Sequence, residues 1–383
     1  MSVTAPKGFR ASGVTAGLKA SGTPDVALVV NDGPRRDGAA VFTTNRVEAA
    51  PVTWSREVVA DGRVDAVILN SGGANACTGR EGFEDARVTA EHTASVLGVS
   101  AGDVVVCSTG LIGERLPMHL LLPGVDAARA ALTDTGGPDA AVAIMTTDTV
   151  PKTAQAVRDG WAVGGMAKGA GMLAPALATM LVVLTTDAVL PEGALDPALR
   201  EACSLTFDRI DSDGCMSTND TVVLLSSGAS EVEVEPAEFT EALTQVCGEL
   251  ARGLIADAEG AKHDIAIEVV NAASVDDALE VARSVARSNL FKCAVFGNDP
   301  NWGRVLSAVG VTSAQFDPHA LDVSINGVQV CRAMGVGESR DLVDLTGREV
   351  HVLVDLHAGA HSATVWTNDL THDYVHENSA YST

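Results

Sequence analysis

Short continuous apolar runs alternate along this chain with segments whose apolar residues recur at helical spacing. A run of about four to eight aliphatic and β-branched residues, bounded by Gly, Asn or Ser, reads as a buried strand. DVALVV (25–30), AAVFTT (39–44), VDAVILN (64–70) and DVVVCSTG (103–110) fit that description, and TAQAV (153–157), WAVGGMA (161–167) and residues 180–186 continue it. Helical spacing marks 82–97, 122–133, 138–146 and 195–205, with a long helix over 236–257. A loop rich in Asp and Ser spans 208–219. Strands follow at TVVLLSSG (221–228), IAIEVV (265–270), CAVFG (293–297), 321–325, REVHVLVDL (348–356) and HSATVWT (361–367), with helices at 274–288 and 301–309. No repeat and no low-complexity linker breaks the pattern. Strands and helices mixed along the whole length predict an α/β or α+β protein.

One stretch changes character partway: GGMAKGAGMLAPALATMLVVLTTDA, from Gly164 to Ala188. Up to Thr179 it is rich in Gly, Ala and Pro, with a lone cation at Lys168; after Thr179 it is an apolar strand. Small residues at Gly169, Gly171, Ala174 and Ala178 permit close approach or sharp turns. Pro175 biases Ala174 away from helix. An irregular loop running into a rigid strand is a good mounting for a reactive group. Two readings of Thr179 stand from the residues. It is the first residue of a core strand, its hydroxyl bonded to backbone, or it is a nucleophile. A threonine hydroxyl needs activation, and one activator is its own free α-amine. That amine exists only if the Ala178–Thr179 bond is cut, which the hydroxyl can do by attacking the preceding carbonyl in an N-to-O acyl shift.

Composition narrows the class. A length of 383 residues accommodates two or three domains, and 46% hydrophobic residues supply a large core. A net charge of −24 disfavours nucleic acid and anionic membranes as partners. The segment MSVTAPKGFRASG lacks the apolar core of a signal peptide. The longest apolar run, Met172 to Leu184, is broken by Pro175 and Thr179 and falls short of the roughly 20 residues of a membrane span. Seven scattered cysteines with no CxxC pair fit reduced thiols, so the expected compartment is the cytoplasm. His357 and His361 lie in a turn between strands, and Asp211 and Asp213 lack the flanking ligands of a calcium loop, so no metal site is expected.

Seven motifs together carry a resemblance. KGAGMLAPALATML, NSGGANACTG (70–79), STGLIG (108–113), IMTTDTVPK (144–152), DAEGAK (257–262), DPNWGR (299–304) and ENSAYST (377–383) span most of the chain in order. In these the sequence resembles the ornithine acetyltransferase family, the glutamate N-acetyltransferases of arginine biosynthesis. The resemblance implies a layered α-β-β-α sandwich of the autocleaving N-terminal-nucleophile type, with a smaller C-terminal α/β domain. It implies cleavage into an α chain, 1–178, and a β chain, 179–383, assembled two and two. It puts Thr109 and Gly110 in the oxyanion hole, and Thr146, Lys168, Thr179, Glu259, Asn378 and Thr383 on substrate. Acetyl would pass from N-acetylornithine to glutamate by way of an acetyl-threonine. No resident cofactor is implied; acetyl-CoA is a candidate second donor. The residues alone read differently at three of these positions: Lys168 as a solvent-facing lysine, Glu259 as a carboxylate opposing a helix C-terminus, and the last residues as a frayed tail. Two alternatives remain: an amidohydrolase or aminopeptidase with the same nucleophile and water as acceptor, and an uncleaved, non-catalytic amino-acid-binding protein.

Overall fold

The computed structural model describes residues 2–174 and 180–380, which divide into two compact units. One holds the chain up to Asp208 together with Cys215–Leu254; the other holds Arg209–Gly214 and the chain from Ile255 onward.

The first unit contains strands β1 (Phe9–Val14), β2 (Val26–Asn31), β3 (Asp37–Phe42), β4 (Ala66–Ser71), β5 (Val104–Thr109), β6 (Lys152–Val157), β7 (Ala162–Lys168), β8 (Leu181–Thr186) and β9 (Thr221–Ser226). Its helices are α1 (Ala50–Val58), α2 (Gly79–Leu97), α3 (Met118–Ala130), α4 (Gly137–Ala143), α5 (Leu195–Leu205) and α6 (Pro236–Ala256). One sheet has the order β1-β2-β4-β5 and the other β3-β9-β8-β7-β6. Most pairs are antiparallel, but β4 runs parallel to β5 and β8 parallel to β9. The strands β2, β4, β5, β8 and β9 are buried at every position. A strand covered on both faces has no polar side to show, which is why these segments read as unbroken apolar runs.

The two sheets face each other. Val29, Leu69, Val105 and Cys107 of the first share a core with Met166, Val183 and Val223 of the second. The outer face of the first sheet, with Leu28, Ile68 and Val106, packs on Ala90 of α2 and on Leu121 and Val125 of α3. Helix α6 covers the second sheet. A Cβ on Gly165 of β7 would lie 2.9 Å from Leu250 and 3.1 Å from Val246, so the bare backbone there lets the helix come close. The layers are helix, sheet, sheet, helix, an α-β-β-α sandwich.

The second unit has a six-stranded sheet of order β13-β12-β11-β14-β10-β15. Its strands are β10 (Asp264–Ala272), β11 (Asp322–Ile325), β12 (Val328–Arg332), β13 (Gly335–Val336), β14 (Glu349–Asp355) and β15 (His361–Asn368). Its helices are α7 (Val275–Ala286), α8 (Asn289–Phe296), α9 (Trp302–Val309) and α10 (His372–Ala380). Along β14 buried and more exposed residues alternate, as in a sheet with one covered face. Val350, Val352 and Val354 join Ile267, Val281, Phe291 and Val305 in the core of this unit.

Three local readings change. CAVFG is the end of helix α8, not a strand: Ser288 caps it by accepting from Phe291 N–H, and a short apolar run alone does not separate helix from strand. Helix α6 ends at Ala256, so Glu259 lies in the turn beyond it and does not oppose a helix end. The C-terminal segment forms α10 as far as Ala380 instead of a frayed tail. Among the described residues no helix is long and apolar enough to cross a membrane.

Candidate active site

Thr109 is the last residue of β5, opposite Ser71 of β4, and only 2% exposed. Its carbonyl accepts from the N–H groups of Gly72 and Gly73, both at 3.0 Å. This pulls the SGG turn after β4 against the end of β5. Gly110 then leaves the strand at φ +130°, and a Cβ there would sit 2.6 Å from Gly73 N. Only glycine fits so strained and crowded a position.

Lys168 reaches the same point from the other sheet. It ends β7, is 1% exposed, and its Nζ donates to Thr109 Oγ1 at 3.2 Å. The solvent-facing reading of this lysine is therefore wrong: its whole side chain is buried. A hydroxyl that accepts from an ammonium keeps its own proton to donate elsewhere. Thr109 thus accepts at its hydroxyl from Lys168, which leaves the hydroxyl hydrogen to act as a donor.

Asp148 ties the surrounding segments together. Its carboxylate accepts from Lys152 Nζ at 2.5 Å, Gly169 N–H at 2.7 Å and Thr146 N–H at 2.9 Å. Burial pushes this carboxyl up, but the charges of Lys168 and Lys152 prevail and hold it at about 2. It is therefore ionised at neutral pH. Through Asp148 the exposed Thr146 is anchored beside the chain that follows Lys168. Lys19 fixes the preceding residue, donating to Met145 O at 2.6 Å.

On the other side, Asn219 donates to Ala74 O at 2.6 Å and to Ser108 O at 2.9 Å, bracing the end of β5. The next residue, Asp220, accepts from Met180 N–H at 3.0 Å. Burial pushes the Asp220 carboxyl well above the usual carboxylate range, against the pull of the Met180 N–H, Lys168 and Ser217.

Glu259 and Asn378 meet in the second unit. Asn378 Nδ2 donates to Glu259 Oε2 at 2.9 Å and to Tyr374 O at 3.0 Å. Gly260 makes this possible. Its φ is +65°, and a Cβ would fall 2.2 Å from Tyr374 N, so the turn carrying Glu259 lies directly on α10. Thr371 closes the same junction by donating to Gly260 O at 2.7 Å. Glu259 lines a pocket of about 300 Å³ with Ser212, Arg287, Lys292, Asp369 and Tyr374. Burial first, then the nearby Glu259 and Asp373, push the Glu377 carboxyl up, against His376 and Lys262.

Thus Thr109, Gly110, Thr146 and Lys168 are gathered within the first unit, and Glu259 with Asn378 within the second. Ala178, Thr179 and Thr383 lie outside the described residues, as does Tyr381. Asp148, Lys152, Asn219 and Asp220 were not singled out from sequence. For Asp148 and Lys152 the sequence signals were their place in the IMTTDTVPK motif and their i, i+4 spacing, which resembles an ordinary surface pair.

A model of the ArgJ family matches residues 10–383. The arginine biosynthesis bifunctional protein ArgJ of Streptomyces coelicolor is 66% identical over 382 residues, covering 100% of this chain and 100% of its own. The protein of the same name from Thermobifida fusca is 64% identical over 383 residues, again 100% of each. Among solved structures, ornithine acetyltransferase complexed with ornithine from Mycobacterium tuberculosis is 55% identical over 47% of this chain and 96% of that one, with a TM-score of 0.45.

Proposed function

The chain belongs to the ArgJ family, and from that premise we propose that it moves the acetyl group of N2-acetyl-L-ornithine to L-glutamate after cutting itself between Ala178 and Thr179. The observation that carries this reading is the contact between Lys168 and Thr109. A buried ammonium at the end of one sheet orients a hydroxyl at the end of the other.

In this reading Thr179 Oγ attacks the acetyl carbonyl, with the Thr179 α-amine as base. Negative charge develops on the carbonyl oxygen and is met by the Thr109 hydroxyl and the Gly110 N–H. Ornithine leaves, glutamate enters the same site, and its amine takes the acetyl group from the threonine ester. Lys168 and Thr146 receive the parts common to both substrates; Glu259, held by Asn378, offers a carboxylate suited to a cationic group. Exchanging one amide for a similar one makes the reaction reversible. It also requires that water be kept from the ester. Acetyl-CoA as a second donor would account for the word bifunctional in the relatives' names. We assign the enzyme to the cytoplasm, with two α and two β chains.

Two measurements test the reading. The purified protein should run as two species of roughly half length on a denaturing gel, and Thr179→Ala as one full-length, inactive species. Supplied with N-acetylornithine and glutamate, the wild type should form ornithine and N-acetylglutamate in equal amounts without free acetate. Acetate release in place of N-acetylglutamate would make the protein an amidohydrolase. A wild-type chain that stays whole and binds without turnover would make it a binding protein.

A further inference from the structure

Helix α8 buries Phe291, Lys292, Ala294 and Val295. The other members of that face suit an apolar core, but Lys292 carries a charge and is only 5% exposed. A buried ammonium normally has a carboxylate bonded to it. Among the described residues Lys292 Nζ makes one hydrogen bond, to the carbonyl of Ser212. The acids whose charges reach it are engaged elsewhere. Asp211 accepts from Arg287 Nε at 2.7 Å and from Gly214 N–H at 3.1 Å. Asp369 accepts from the N–H groups of Lys262 and His263, both at 2.9 Å, and faces His263 Nδ1 at 2.7 Å. An ammonium has three N–H donors, so the Ser212 bond leaves Lys292 with capacity to spare. Burial holds it below the usual lysine range, against the charges of Asp211, Asp213 and Asp369.

Lys292 lines the pocket of about 300 Å³ that Glu259 also lines. That pocket therefore carries a carboxylate and a buried ammonium, both within the second unit. Acetyl exchange at one site must accept two side chains in turn, one ending in ammonium and the other in carboxylate. The terminal nitrogen of ornithine and the terminal oxygens of glutamate lie the same number of bonds from their α-carbons. Two substrates held by the same α groups bring those ends to the same place, and a pocket with charge of one sign would reject one of them. Arg287, the other cation lining the pocket, is half exposed and has its guanidinium on Asp211.

We propose that Lys292 receives the side-chain carboxylate of glutamate, in the pocket where Glu259 receives the side-chain ammonium of ornithine. The proposal rests on the acetyl-transfer reading above. It makes Lys292 the group that selects an acidic acceptor. An entering carboxylate gives the buried ammonium the direct counter-ion it lacks, through donors that the Ser212 bond does not use.

Glutamine is the discriminating probe, since it has the shape of glutamate without the charge. Lys292→Gln keeps a donor for the Ser212 carbonyl but offers no ammonium. With N-acetylornithine as donor, its ratio of kcat/KM for glutamate over glutamine should fall at least about 10-fold below the wild-type ratio, the scale of one charge-assisted hydrogen bond. KM for N-acetylornithine should be little changed. A merely structural loss would lower both acceptors alike, so an unchanged ratio overturns the proposal. If Lys292→Gln does not fold, the crystal structure of the wild type with N-acetylglutamate decides. The side-chain carboxylate should lie within hydrogen-bond distance of Lys292 Nζ. A carboxylate bound elsewhere, or no bound ligand at a concentration well above its KM, overturns the proposal equally. The wild-type assay, run alongside, separates the two levels. If the wild type forms no N-acetylglutamate, the acetyl-transfer reading itself fails. If it does, and the variant keeps the wild-type ratio, only the role of Lys292 fails.

Discussion

Asp148 is buried, yet two lysines keep it ionised, with its carboxyl lowered from 3.8 to about 2. A group that titrates lower in the folded chain than in the unfolded one stabilises the fold above its unfolded value. Here the contribution is complete above about pH 4–5 and is lost as pH falls through about 2, and the gap corresponds to about 2 kcal/mol. Asp148→Asn should cost more than that at pH 7, about 3–5 kcal/mol, because it removes a counter-charge from buried Lys152 and Lys168. Thermal unfolding of both proteins across pH should show the wild-type advantage shrinking toward pH 2; an advantage independent of pH would remove Asp148 from this role. Thr109 belongs to the same scale. Losing one oxyanion donor typically costs about 10²–10³ in kcat, so Thr109→Ala should lower kcat by that factor with KM little changed. A raised KM at constant kcat would instead assign the hydroxyl to ground-state binding. Lys168 drew notice in the sequence as a lone cation among small residues, but its burial was invisible there. Burial depends on which strand end lies opposite, and nothing local specifies that.

At the scale of elements, the ends of β5 and β7 are fixed by side chain and backbone together: Asn219 braces Ser108, Asp148 holds Gly169 N–H, and the Gly72 and Gly73 N–H groups donate to Thr109 O. Gly110 turns out of β5 where a Cβ would strike Gly73 N at 2.6 Å. Gly110→Ala should therefore displace the SGG turn and the end of β5 together. The expected result is a soluble protein with a lowered thermal transition and acetyl transfer down by at least the factor expected for Thr109→Ala. Unchanged activity would show that the turn adapts. The strands themselves were readable as apolar runs because both faces of each are covered. CAVFG had the same local signature and became helix, since Ser288 and Gly297 supply the ends. Strand β1 and helix α1 left no clear run, being short and of mixed polarity, and they form because neighbours complete them: β1 pairs along its whole length with β2.

Over the whole first unit, the proposed cut falls between two strands that are neighbours in one sheet. β7 precedes it and β8 follows it, and they are paired antiparallel from Val163 with Thr186 to Lys168 with Leu181. β3, from before the cut, pairs in turn with β9, from after it. The inner core is shared as well, with Val29 and Leu69 on one side of the cut in sequence and Val183 and Val223 on the other. Separating the products would mean opening a sheet and exposing many buried side chains at about 1.5–3 kcal/mol each. The two chains should therefore elute together in size exclusion under native conditions and separate only in denaturant. Free α or β chain in native buffer would contradict this arrangement.

The mixed strand and helix composition was determined by the sequence alone, because the period of apolar residues is a local property set by backbone geometry. So was the family, through motifs whose order survives without any knowledge of the fold. The tertiary structure decided what those motifs do to one another. It set Lys168 against Thr109, which lie 59 positions apart, and Glu259 against Asn378, 119 apart. It also turned Asp148 and Asp220, two acids in polar loops, into buried groups, the first held as a carboxylate and the second pushed toward the neutral acid. The physical reason is the same in each case. Burial and the nearest charge set what an ionisable group does, and both come from parts of the chain that no sequence window contains.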